Sequence, residues 1–73
     1  MTKYINFEYD QIDSIKDAID KIDSTKVILQ INSIKDVERQ VPMWKIKITN
    51  RTSNVNVVDD FIEHLNDYLE LKN

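Results

Sequence analysis

The sequence has no cysteine, no glycine, one proline, one histidine and one tryptophan in 73 residues. Each absence removes chemistry. Without cysteine there are no disulfides and no thiolate metal sites. A single histidine removes multi-histidine metal sites. Dinucleotide fingerprints, Walker loops, EF-hand loops and nucleophile elbows need a backbone that reaches positive φ or lies close against a phosphate, and a chain without glycine builds none of them. Tight turns fall to Asn or Asp. No cysteine nucleophile exists, and the histidine has no Ser partner at a recognisable spacing, so no enzyme and no cofactor are expected. Residues 1–73 are long enough for one small domain. A domain of this size buries only about 60% of its unfolded-chain surface, and of the usual remedies oligomerisation or docking on a partner is the one left.

What is present is charge, aliphatics and a compositional bias. Thirteen acidic residues outweigh ten basic ones, giving a net charge of −3 and a pI of about 4.9. Such a balance disfavours nucleic acid and anionic membranes and favours a basic partner. No N-terminal signal pattern and no apolar run near 18 residues occur, so a cytoplasmic, soluble protein is expected. Hydrophobic residues make up 41% of the chain, enough for a folded domain. Gly, Ala, Arg and Pro together supply four residues while Ile, Asn, Lys and Asp abound. An AT-rich gene produces that bias, which points to a low-GC bacterium or a phage or plasmid within one.

The periodicities predict an α+β domain. Residues 3–9 alternate, with Ile5, Phe7 and Tyr9 on one side, and read as a strand. Asp10 is a candidate N-cap for a helix over about 10–23, whose apolar face is Ile12, Ile15, Ile19 and Ile22. A second strand spans 26–32 and a third 42–50, with Pro42 at its start. Residues 33–41 admit two readings, a long hairpin arm or a short helical turn capped by Ser33. Asn54 or Asn56 caps a last helix running to about Leu71, with Val58, Phe61, Ile62, Leu65 and Leu69 inward. The order is β-α-β-β-α: a three-stranded, mostly antiparallel sheet with both helices on the face of Ile5/Phe7, Val27/Leu29/Ile31 and Trp44/Ile46/Ile48. Gln11–Asp17 recurs almost unchanged as Gln30–Asp36. The first copy reads as helix and the second as strand running into a loop, so the echo reflects codon bias rather than duplication.

Four features could carry function. The outward faces of the helices hold nine of the thirteen acids: Asp10, Asp13, Asp17 and Asp20 on the first, Asp59, Asp60, Glu63, Asp67 and Glu70 on the last. They read either as solvated faces with Asp favouring helix N-termini, or as carboxylate rows imitating a nucleic-acid backbone. Asp is a poor helix former, which favours the second. Gln40-Val41-Pro42-Met43-Trp44 resembles the pentapeptide by which bacterial proteins bind the sliding clamp, in which Gln40 would hydrogen-bond at a pocket rim and Met43 and Trp44 fill the pocket. It is void if Trp44 faces the helices. The open sheet face, with Tyr4, Ile28, Met43, Lys45 and Lys47, could form a homodimer contact, and one aromatic ring argues against direct nucleic-acid binding there. Asp60, His64 and Asp67 share a helix face, but a surface histidine beside acids explains them without a metal.

In size, acidity, lack of cysteine and AT-rich coding the whole chain resembles the small proteins with which phages and mobile elements disable host DNA-processing proteins. Anti-CRISPR proteins, glycosylase inhibitors and a phage inhibitor of the sliding clamp are of this kind. The resemblance implies a DNA-mimic inhibitor acting in the host bacterial cytoplasm on a DNA-binding or DNA-processing protein, the sliding clamp being the best single target. The alternative is a homodimeric structural or regulatory module that uses the open sheet face.

Overall fold

In the computed structural model, which describes residues 2–72, the chain forms an α+β fold. Its elements are strand β1 (Thr2–Glu8), a 3-10 turn (Tyr9–Gln11), helix α1 (Ile12–Lys21), strand β2 (Val27–Asp36), strand β3 (Val41–Asn50) and helix α2 (Val57–Lys72). The sheet order is β1-β3-β2, and β3 is antiparallel to both neighbours. β1 and β2 are therefore parallel to each other and joined by α1, with β3 hairpinned back into the gap between them. This is a split β-α-β unit followed by one more helix.

Register sets the faces. Ile5, Ile46 and Ile31 lie side by side across the three strands, as do Lys3, Ile48 and Leu29. Both helices cover this face. Ile15 and Ala18 of α1 and Val58, Phe61, Leu65 and Leu69 of α2 close over Ile46 and Ile48, and Ile5, Phe7, Leu29 and Ile31 pack at the margins. The central strand buries its isoleucines completely because it has a strand on each side and a helix layer above.

Three boundaries differ from the sequence reading. β2 continues to Asp36, because Ser33, Ile34, Lys35 and Asp36 pair with Trp44, Met43, Pro42 and Val41. The hairpin-arm reading of 33–41 is the right one. β1 stops opposite Met43, so Pro42 has a strand on one side only, where a missing N–H is tolerated. Second, Asp10 does not cap α1. It lies inside the 3-10 turn, which is closed by a reciprocal box in which the Glu8 N–H donates to Gln11 Oε1 (3.1 Å) and the Glu8 carboxylate accepts from the Gln11 backbone. Third, the two near-identical heptapeptides adopt different states, as read from the sequence, with Gln11–Asp17 running from the turn into α1, but Gln30–Asp36 lies wholly in β2 and does not run into a loop.

The turns do without glycine. In the β2–β3 hairpin the Asp36 carboxylate accepts from the Glu38 and Arg39 N–H groups, and Gln40 takes the left-handed conformation, φ 58°. Gln40, neither Asn nor Asp, carries the steric cost there. After α1, Asp23 Oδ1 accepts from the Thr25 hydroxyl (2.7 Å) and backbone N–H (3.0 Å). The hydroxyl bond, then the backbone bond, holds the Asp23 carboxyl below its ordinary value of 3.8, with a smaller contribution from Lys26. A carboxyl with a depressed pKa stabilises the fold above its ordinary pKa, and that contribution is lost as pH falls through the folded value. Thr25→Val, which removes the hydroxyl but keeps the N–H, is expected to raise the Asp23 titration midpoint toward 3.8 in a carboxyl-detected NMR titration. An unchanged midpoint would show that the hydroxyl is not the cause.

Candidate functional site

The two carboxylate rows part company in the structure. On α2, Asp60, Glu63, Asp67 and Glu70 are all exposed. Spaced three, four and three residues apart, they form one stripe about 15 Å long on the solvent side. The sequence of α2 holds no Lys or Arg before its last position, Lys72. Among the described residues, none of these four carboxylates takes part in an ion pair. Asp59 stands to one side and pairs with Lys3 of β1, tying the helix to the sheet edge. Leu71, 87% exposed, closes the stripe. Sequence reading missed it as part of the site, although its position four residues after Asp67 sets it on the same side.

The α1 row is weaker. Asp10, Asp13 and Asp20 are exposed, but Asp17 is half-buried and tied down, and accepts a hydrogen bond from the Tyr68 hydroxyl of α2 at 2.9 Å. The exposed Lys16 stands between Asp13 and Asp20 on the helix surface. Asp17 is thus a helix–helix contact and not a member of a free row, and that part of the sequence reading is corrected. Tyr68→Phe is expected to cost about 1 kcal/mol in urea unfolding, the usual worth of such a bond. No measurable loss would mean that water replaces Tyr68 at Asp17 without cost.

The clamp-type pentapeptide is also corrected. Gln40 sits in the hairpin turn, where its Nε2 donates to the Val37 carbonyl at 2.7 Å. Met43 and Trp44 are successive residues of the central strand and point to opposite faces, so they cannot fill one pocket. Trp44 is on the helix side. Its ring stacks on Tyr9, with centroids 5.0 Å apart and planes within 9°, and its indole N–H donates to the Tyr9 carbonyl at 2.9 Å. The tryptophan is a structural clasp between β3 and the turn after β1.

Asp60 and His64 sit with Asp23, Lys26 and Phe61 on a shallow cleft of about 170 Å³ between α2 and the start of β2. It is smaller than the ~300–1,000 Å³ of small-molecule pockets. Among the described residues no group of three or more His, Asp or Glu is placed to hold a metal ion, and Asp67 does not join Asp60 and His64 in lining the cleft. No helix among them is long and apolar enough to cross a membrane.

The open face of the sheet is less acidic than the molecule. Its two middle rows are Tyr4–Lys47–Gln30 and Asn6–Lys45–Asn32. Its acids lie at the hairpin end: Asp36 caps the turn, and Glu8 is bridged by both Arg39 nitrogens, Nη1 at 2.9 Å and Nη2 at 3.4 Å. The Glu8 hydrogen bonds and charge raise the Arg39 pKa further above its ordinary value. Of the residues suited to a dimer contact, Ile28 is 56% exposed and Met43 half-buried on this face. No known family, curated protein or solved structure matches the chain.

Proposed function

We propose that this protein is an inhibitor that binds another protein, presenting the α2 carboxylates to a basic surface that otherwise faces DNA in a DNA-processing protein of a bacterial cytoplasm. The observation that supports the reading is the stripe Asp60, Glu63, Asp67 and Glu70, exposed on one helix that has no Lys or Arg before Lys72. Four carboxylates within about 15 Å give a charge density of the same order as one DNA strand, which carries a charge every ~3.4 Å of axis. A solvated face built only for solubility would intersperse lysines, as α1 does with Lys16. With Gln40 in the hairpin turn and Val41–Trp44 in β3, the sliding clamp is one member of the target class and no longer singled out within it. The second reading, a homodimeric module using the open sheet face, is favoured by the exposed Ile28.

The experiment is affinity capture from nuclease-treated lysate of a low-GC bacterium, with salt elution and mass spectrometry. The expected result is one DNA-binding protein, released by rising salt because such contacts are screened, and displaced from the column by duplex DNA. A captured protein that duplex DNA fails to displace would overturn the mimicry reading. So would a protein that recovers only itself and sediments as a salt-insensitive dimer, which is the outcome of the second reading.

A further inference from the structure

The net charge of −3 conceals a segregation by layer. The helices hold most of the acids, and the middle of the open sheet face holds none. There, each of two adjacent cross-strand rows has a lysine at its centre, Lys47 between Tyr4 and Gln30 and Lys45 between Asn6 and Asn32. The two lysines are two residues apart on one strand and point the same way, about 7 Å from each other, which suits neighbouring phosphates of an extended chain. Tyr4 is 56% exposed, and the Lys45 ammonium stands 4.6 Å from its ring centroid. Sheets hold unpaired bases by stacking them on exposed rings, with basic groups for phosphates and amides for base edges. Here Tyr4 is the ring, Asn6 lies beside it on β1, Gln30 and Asn32 lie across β3 on β2, and Lys45 turns from the face of Tyr4 to a phosphate when a base stacks there. The two acids at the end of the face are already engaged, Glu8 by Arg39 and Asp36 by the hairpin turn.

We propose that the open face of the sheet binds single-stranded nucleic acid, with Tyr4 as the stacking surface and Lys45 and Lys47 on successive phosphates. This occupant is favoured over a second copy of the chain because a twofold contact through the middle of this face would oppose Lys45 and Lys47 to their own counterparts. It is favoured over an acidic protein because Tyr4 and the amides then have a use. The proposal is independent of the acidic stripe on the opposite layer, and it revises what the net charge and the single aromatic ring of this face suggested in the sequence.

The test is fluorescence anisotropy of a fluorescein-labelled oligothymidylate of about 12 nucleotides, a length within the usual range for one small domain, with the full chain in low salt. Saturable binding is expected, weakening with salt at a log–log slope of about −1.4 for two phosphates. Tyr4→Phe keeps the ring and should bind as the parent does. Tyr4→Thr keeps strand propensity but no ring, and should weaken binding about tenfold. Lys45→Glu with Lys47→Glu should abolish it, and reversing charges on α2 should not weaken it. The absence of binding by the folded parent overturns the proposal, as does a Tyr4→Thr affinity equal to that of Tyr4→Phe. Polyglutamate competing as well as the oligonucleotide would reduce the face to an ion exchanger and overturn it too. The proposal also fails if the chain sediments as a dimer that Lys45→Glu with Lys47→Glu dissociates and the oligonucleotide does not.

Discussion

Ile46→Ala is expected to cost about 2–5 kcal/mol and to bring the domain close to its unfolding midpoint in water. Ile46 has no exposed surface. It sits at the centre of the central strand, with Ile5 and Ile31 beside it in register, and the helix layer above it includes Ile15 and Leu65. Truncation removes the branched end of the side chain and leaves a cavity that strands on both sides and helices above cannot collapse into, which places the cost in the range for large-to-small core changes. A chain of this length has about 4–11 kcal/mol in total, and the poor surface-to-volume ratio puts it at the lower end. Urea unfolding followed by circular dichroism checks this: the midpoint should fall steeply at constant slope. Ile28→Ala is the control. Ile28 lies on the open face, 56% exposed, and its truncation should stay within about 0.5 kcal/mol. If the two substitutions cost the same, the helices do not cover the face assigned to them.

The alternation that makes Ile46 central was readable from the sequence alone. Period two in Ile5/Phe7, Val27/Leu29/Ile31 and Trp44/Ile46/Ile48, and helical period in Ile12/Ile15/Ile19 and Val58/Phe61/Leu65/Leu69, gave the elements, their order and the buried face. Periodicity reports burial, and burial is where it succeeded. It failed where hydrogen bonding or register decides. Beyond Ile31 the inward positions of β2 are Ser33 and Lys35, so the pattern stops, yet the strand continues because its backbone pairs with β3. The twin heptapeptides make the same point from the other side: nearly the same residues form helix after a strand-ending turn and strand within a hairpin, so long-range pairing overrode local preference.

The candidate site was legible in part for a similar reason. A helical wheel gives the direction in which a side chain points but not what waits there. It placed Asp17 beside Asp13 and Asp20, and could not foresee the Tyr68 hydroxyl 51 positions away. Gln40–Trp44 matched a linear pattern, but linear patterns assume a free extended peptide, and in β3 the pleat sends Met43 and Trp44 to opposite faces. The open face was legible as a mixture of residues. Its two lysine-centred rows depend on the β1–β3–β2 register, and that register places Lys45 beside Asn6, far from it in sequence, and within reach of Tyr4.

The α2 stripe survives this sorting, and its reversal is the second large effect. Changing Asp60, Glu63 and Asp67 together to Lys is expected to weaken binding to the captured DNA-processing protein by about 1,000-fold or more, roughly 4 kcal/mol, because each reversal turns an attraction across a desolvated contact into a repulsion. The fold should hardly notice. The three side chains are exposed, and the change sets opposing small effects against each other. Removing the negative charge of Asp60 from the first turn of the helix loses about 0.3–1 kcal/mol of dipole stabilisation. The like-charge repulsion of Glu63 with Asp60 and Asp67, about 0.2–0.5 kcal/mol for each pair, is exchanged for a similar repulsion among the lysines and so nearly cancels. A net change within about 1 kcal/mol in urea unfolding therefore separates lost contact from lost structure. The matched control is Asp13→Lys with Asp20→Lys on α1, where Lys16 already dilutes the row and Asp17 is held by Tyr68, so the loss should be at least about tenfold smaller. Equal losses from the two helices would mean that the partner reads total charge and not a stripe. Binding that withstands reversal on both helices would remove mimicry altogether and leave the open sheet face as the working surface of the molecule.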